Sequence, residues 1–142
     1  MKEKMNIIDQ SLEAAQSILP KAYGQRKRNN MFHFAFGYDK SKLLAIGQNN
    51  PEKTNAKAWR LSQKFNTDLI YPYFHAETDL VSKLWGRHYI DSRLKIVVIR
   101  LNKNGKLRQS KPCERCSKIL KALDVNQVWW STENGFEQDA RN

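Results

Sequence analysis

Apolar residues recur along this chain with two periods, and the period changes where one segment gives way to the next. Ile8, Leu12, Ala15 and Leu19 follow the i, i+4, i+7, i+11 spacing of one helical face, with Asn6 placed to cap its start and Pro20 to end it. From Phe32 the period falls to 2. Phe32, Phe34, Phe36 and Tyr38 alternate with His33, Ala35 and Gly37, which predicts a strand with one aromatic face. Asp39 to Lys42 reads as a turn, and Leu43 to Gly47 as the returning strand of a hairpin. Between Gln48 and Tyr73 the pattern is weak, although Ala58, Leu61 and Phe65 fit one side of a short helix. Leu80, Val81, Leu84 and Trp85 at helical spacing then predict a second main helix beginning near His75.

The unbroken run Ile96-Val97-Val98-Ile99 within Lys95 to Leu101 suits a central strand covered on both faces, and Asn104-Gly105 marks a tight turn after it. A third helix fits Glu114 to Leu123, with Cys116, Ile119, Leu120 and Leu123 on one side. Gln127 to Thr132 is a further strand, and Asn134-Gly135 a second turn. Helix, hairpin, helix, strand, helix, strand is the order of an α/β layered domain with a mixed sheet. With no repeat, low-complexity tract or linker, residues 1–142 read as a single domain.

Composition narrows the class. A chain of 142 residues supports one ordinary core, and 40% apolar with 27% charged residues excludes a disordered tail, a collagen-like repeat and a membrane bundle. No apolar run approaches the length of a membrane span, and the opening residues lack the apolar centre of a secretory signal, so the expected location is cytoplasmic, with no membrane partner. Twenty-five Lys and Arg against 14 Asp and Glu give a net charge of +11, which favours polyanionic partners. The basic residues concentrate at Lys21–Arg28 and at Arg100–Lys121, where eight of them meet one acid. The two cysteines, Cys113 and Cys116, are too close in sequence to form a secreted disulfide framework and point to metal or redox chemistry.

His75-Ala76-Glu77 and Pro112-Cys113-Glu114-Arg115-Cys116 both fall at predicted helix starts. Residues two apart diverge inside a helix, so His75 and Glu77 address one point only from a first, half-formed turn, whereas Cys113 and Cys116, three apart, share a face. Two helix N-termini aimed at one point favour thiolate there, and Pro112 suits the entry because its missing N–H would be unpaired anyway. One His and two Cys give three ligands where tetrahedral Zn²⁺ takes four, and the vacant position is the mark of a catalytic zinc. Water there has its pKa lowered to about 7. Glu77 is then placed to take its proton without being a ligand.

His-x-Glu followed by Pro-Cys-x-x-Cys is the signature of zinc nucleobase deaminases, and over most of its length the chain resembles the cytidine deaminase superfamily. Gly47-Gln48-Asn49-Asn50-Pro51 is similar to the G-x-N-x-P loop of the tRNA adenosine deaminases in that superfamily. The resemblance implies a three-layer fold, a five-stranded mixed sheet flanked by helices with zinc between two helix starts. It implies His75, Cys113 and Cys116 as ligands, Glu77 as the catalytic acid–base, and Asn49, with Ala76 and Pro112, at the substrate. At the C-terminus the superfamily divides. One branch adds a crossover helix and a parallel strand, the other returns through a hairpin. Only ten residues follow Thr132, too few for a crossover, so an antiparallel return through Phe136, or no further strand, is expected.

The implied reaction is hydrolytic deamination, at C4 of cytosine in single-stranded DNA or RNA, with Glu77 relaying a proton to N3 and then to the leaving amine. Attack at C6 of adenine uses the same machinery. Free cytidine or deoxycytidylate is the alternative substrate, and a nucleic-acid-binding module with structural zinc is the alternative of another class. A thioredoxin-like redox pair at Cys113 and Cys116 would leave His75 and Glu77 unexplained. Among the aromatics, Tyr73, just before the zinc histidine, and Trp130, at the end of a strand, are the residues expected to stack on a base, with one of the adjacent Trp129 and Trp130 facing the core and the other not. His33 and His88 stand apart from any cluster and read as structural or solvated.

Overall fold

A computed structural model describes residues 6–24, 31–49, 75–87, 90–112 and 114–138. The elements in chain order are α1 (Ile7–Gly24), β1 (Met31–Asp39), β2 (Lys42–Gln48), α2 (Ala76–Leu84), β3 (Leu94–Asn102), β4 (Leu107–Arg108), α3 (Glu114–Ala122), β5 (Gln127–Thr132) and β6 (Gly135–Gln138). Asn6 caps α1 as its sequence position suggests, its side-chain oxygen accepting the Asp9 N–H at 2.8 Å. Pro20, expected to end this helix, does not. The helix runs on to Gly24. Proline removes one bond, to the carbonyl of Gln16, and Gln16 lies on the exposed side of the helix, where a missing donor costs least.

The strands form one mixed sheet in the order β2-β1-β3-β5-β6, with β4 paired to the end of β3. Only β3 and β5 run parallel, joined by the α3 crossover; every other pairing is antiparallel. The C-terminal hairpin is present, with Ser131 opposite Phe136 and Thr132 opposite Gly135, whose φ of 141° is open to glycine. Among the described residues the sheet thus has six strands where five are implied. The additional one, β4, is two residues long and rests on Arg100 and Leu101.

Helices cover both faces. Phe32, Phe34, Phe36 and Tyr38 point to one face and pack with Val97, Ile99 and Leu101 against Ala15 and Leu19 of α1. The other face joins Ala35, Ile96, Val98 and Val128 to Leu80, Val81 and Leu84 of α2 and Leu120 of α3. Because both faces are covered, the two neighbouring tryptophans are both taken up. Trp130 belongs to the second core and Trp129 packs against the first, so neither is the outward-facing partner expected. Among the described residues no helix is long and apolar enough to cross a membrane. The expected helix around Ala58, Leu61 and Phe65 lies outside the described residues, as do Tyr73, Asn50 and Cys113.

Candidate active site

Small residues bring α2 onto the sheet. Ala35 and Gly37 occupy the positions on β1 that face this helix, and Gly37 meets Leu80 and Leu84. At Gly47 of β2 a Cβ would overlap the Ala76 carbonyl oxygen and come within 2.5 Å of Leu80 N, so the first turn of α2 lies directly on the strand. The helix is tied to the outward edge of β2 as well. Asp79 accepts the Gln48 N–H at 2.9 Å, and Lys83 donates to the Ile46 carbonyl at 2.7 Å while pairing with Asp79 at 3.2 Å. These two side chains occupy backbone groups that would otherwise be open to another strand.

His75 is the cap residue of α2, with extended backbone at φ −82° and ψ 163°. Its N–H donates to Thr78 Oγ1 and that hydroxyl donates to the His75 carbonyl, each at 3.0 Å, which holds the ring at the helix mouth. Glu77, one residue inside the first turn, is 4% exposed. The half-formed turn therefore aims both side chains at one point, as their spacing requires. Cys116 approaches from the first turn of α3 and is wholly buried. The ligand atoms of His75, Glu77 and Cys116 all lie within 4.8 Å of one another.

The donor set fits zinc by a further measure. Zinc bonds of about 2.3 Å to sulfur and 2.0–2.1 Å to nitrogen, set at the tetrahedral angle, place the two donor atoms about 3.5 Å apart. Cys116 Sγ and His75 Nδ1 are separated by 3.5 Å. His75 and Cys116, with Cys113 by its sequence position, would hold the metal.

The arm that precedes Cys113 is anchored by two serines. The parallel ladder between β3 and β5 ends at Val98 and Trp130. Beyond it, Ser110 enters the gap. Its N–H donates to the Ser131 carbonyl at 2.9 Å, its hydroxyl donates to the Val98 carbonyl at 2.9 Å, and it accepts the Ser131 N–H at 2.8 Å. The Ser131 hydroxyl donates to the Arg108 carbonyl at 2.7 Å and accepts the Arg100 N–H at 3.0 Å. Lys111 and Pro112 leave from this buried clasp at the carboxyl ends of two parallel strands, where open α/β sheets form their binding crevices. Nothing in the sequence pattern marks these serines, since each acts through a contact distant in the chain.

Asn49 follows β2 and is bound to β1 on two sides. Its side-chain oxygen accepts the His33 N–H at 3.0 Å, and its own N–H donates to the His33 carbonyl at 3.3 Å. The oxygen faces a donor, so the amide nitrogen is the end directed elsewhere. His33, read from sequence as isolated, is thus the residue that orients Asn49. Ala76 is wholly buried against the sheet and Pro112 is half-buried on the arm. Trp130 corrects an expectation. It is 6% exposed within the core, with the Lys111 ammonium 5.7 Å from its ring centroid, so the ring offers no open face for a base to stack upon.

No protein-family model matches the chain, and no curated protein sequence matches it. Solved structures do. The crystal structure of cytidine deaminase from Mycobacterium leprae is similar at a TM-score of 0.52 and 21% identity, over 89% of this chain and 88% of that one. The crystal structure of dCMP deaminase from the cyanophage S-TIM5 in apo form is similar at a TM-score of 0.50 and 19% identity, over 85% and 82% of the two chains. With its sheet order, its covered faces and two helix starts converging on His75, Glu77 and Cys116, the chain has the fold of the cytidine deaminase superfamily.

Proposed function

We propose that this protein is a zinc-dependent hydrolase that deaminates cytosine to uracil with release of ammonia. The observation that carries the reading is the group of His75, Glu77 and Cys116 at two helix mouths, with a His75-to-Cys116 separation that matches a tetrahedral zinc edge. Zinc, when bound, supplies water activated for attack near neutral pH. Glu77 would carry one proton of the attacking water to N3 and then the second, from the hydroxyl left on C4, to the amine that departs as ammonia. Its burial keeps the carboxylate among the reacting groups and away from bulk solvent. Asn49, held at the end of β2 by its two bonds to the His33 backbone, is the residue assigned to contact the substrate.

The net charge of +11 supports single-stranded nucleic acid as the carrier of that cytosine. A second reading, free cytidine or deoxycytidylate, is supported by the antiparallel β5–β6 return and by the fold shared with a cytidine deaminase and a dCMP deaminase. Parallel turnover of cytidine, deoxycytidylate and a mixed-sequence oligonucleotide, followed as ammonia release, tests both. The oligonucleotide is expected to be the best substrate. With four or more phosphates neutralised, its binding falls with a log–log salt slope of roughly −3 or steeper. A flat salt response with efficient turnover of a free nucleotide selects the second reading, and no ammonia from any of the three rejects deamination.

A further inference from the structure

Strand register assembles a row of basic side chains that the reaction above does not use. His33 of β1 is opposite Arg100 of β3, and Arg100 is opposite Arg108 of β4. Directly paired residues point to one face. Ala35 and Val98, two residues away along the same strands, belong to the core beneath α2 and α3, so the row lies on the face that carries the metal group. Gly47, Ala35 and Val98 form the line under the first turn of α2. The basic row is two residues further along, about 7 Å at the ordinary strand rise. Arg100 also leans toward the arm that leads to Cys113, its NH1 donating to the Gln109 carbonyl at 3.4 Å.

Among the described residues, the two arginines of this row lack a local balance. Arg93, on the opposite end of β3, has Asp91 at 2.9 Å. Among the described residues neither Arg100 nor Arg108 meets a carboxylate. Their bonds go to the backbone carbonyls of Gln109 and Leu107. The acids that face this region from α2 are otherwise engaged, Glu77 in the metal group and Asp79 with Gln48 and Lys83. In addition, Arg100 Nε is buried and has no acceptor among the described residues. A buried donor on a permanent cation is costly to leave unpaired. Two arginines at paired strand positions are suited to a tetrahedral oxyanion, which a guanidinium can grip through parallel N–H bonds.

We infer that Arg100 and Arg108, flanked by His33, form a phosphate subsite on the sheet face that carries the metal group, which holds the phosphate ester of the cytosine substrate. The inference rests on the deaminase reading and adds to it the part of the substrate held away from the base. A mononucleotide and a single strand both present this chemistry.

The test uses the zinc-loaded full chain carrying Glu77→Ala to prevent turnover. Dissociation constants are measured by calorimetry for deoxycytidine, its 5′-monophosphate and a trinucleotide with cytosine at the centre. A phosphate-bearing ligand is expected to bind about tenfold or more tighter than the nucleoside, the size of one charge-assisted contact. Arg100→Gln and Arg108→Gln are expected to remove most of that preference, and Arg100→Lys to restore part of it. A preference for the monophosphate identifies a terminal phosphate, and a preference for the trinucleotide alone identifies a phosphodiester. Either supports the subsite. Equal affinity for all three ligands, or a preference that survives both glutamine variants, overturns it. Should Arg100→Gln fail to fold, Arg108→Gln on the two-residue β4 decides alone. Ammonia release by the protein with Glu77 intact is scored separately. Arginine-dependent phosphate preference without turnover keeps the subsite and rejects deamination, and turnover without phosphate preference does the reverse.

Discussion

The two faces of the sheet are made from the same strands read at opposite parities, and they differ in what fills them. Toward α1, β1 offers Phe32, Phe34, Phe36 and Tyr38, all at most 1% exposed, and the Tyr38 hydroxyl meets Ser11 at 2.7 Å, whose own hydroxyl donates to the Ile7 carbonyl at 2.6 Å. Burial pushes the Tyr38 phenol above its ordinary pKa, opposed by the Ser11 bond. Toward α2, the same strand offers His33, Ala35 and Gly37, and β2 offers Gly47. Bulk on the first face supplies apolar burial. Its absence on the second lets a helix mouth reach the sheet and set His75 and Glu77 beside Cys116. Stability and chemistry are therefore separable by face, and substitutions should sort the same way.

The largest effect is expected at Glu77. Glu77→Ala should lower turnover by about 10²–10⁴-fold, the usual contribution of general acid–base transfer, with thermal stability and zinc content kept. Steady-state rates and metal analysis on one preparation check this. Loss of the metal, or wild-type turnover, would remove Glu77 from its assigned role.

On the opposite face, Phe36→Ala should cost about 3–5 kcal/mol of stability by urea unfolding, while the folded fraction still binds zinc. Gly47→Ala should cost about 1–3 kcal/mol or more, because the obstacle is helix backbone with no rotamer to yield. Unlike Phe36→Ala it should also weaken zinc binding by displacing His75. Equal zinc affinity in both variants would show that the faces are not separable.

A smaller effect is expected at the loop. Asn49→Ala should weaken substrate binding by about 1–3 kcal/mol, the cost of leaving a partner unpaired. Asn49→Asp keeps an oxygen for the His33 N–H but removes the amide donor, so it should preserve folding and lose the same binding energy. Asn50→Ala should matter less than either. An Asn49→Asp variant with undiminished substrate affinity would assign Asn49 to hairpin closure alone.

The same contrast explains what the sequence discloses. Features that depend on neighbours in the chain are legible. The alternation from Phe32 to Tyr38 gives β1, the Asn6 cap gives the start of α1, and the spacing of His75 to Glu77 requires the helix start that α2 supplies. The Asn134-Gly135 turn signal after Thr132 marks the hairpin that β6 makes. Features set by register are not legible. Ser110 and Ser131 meet across 21 positions, and His33, Arg100 and Arg108 become a row only once three strands are paired. Trp130 departs from its expected role for a related reason: strand periodicity separates two faces but does not reveal that both are covered. Pro20 is a local signal overridden, since the exposed side of α1 tolerates the bond it removes.

The central claim is that His75, Cys113 and Cys116 hold zinc while Glu77 stands beside it as the proton carrier. The most direct measurement is zinc per chain after metal-replete expression and dialysis in reducing buffer, made on the wild type, His75→Ala, Cys116→Ala and Glu77→Ala. The expected result is about one zinc in the wild type and in Glu77→Ala, with substantial loss in the His75 and Cys116 variants. No zinc in the wild type, or loss of the metal from Glu77→Ala with retention in His75→Ala, would contradict the account.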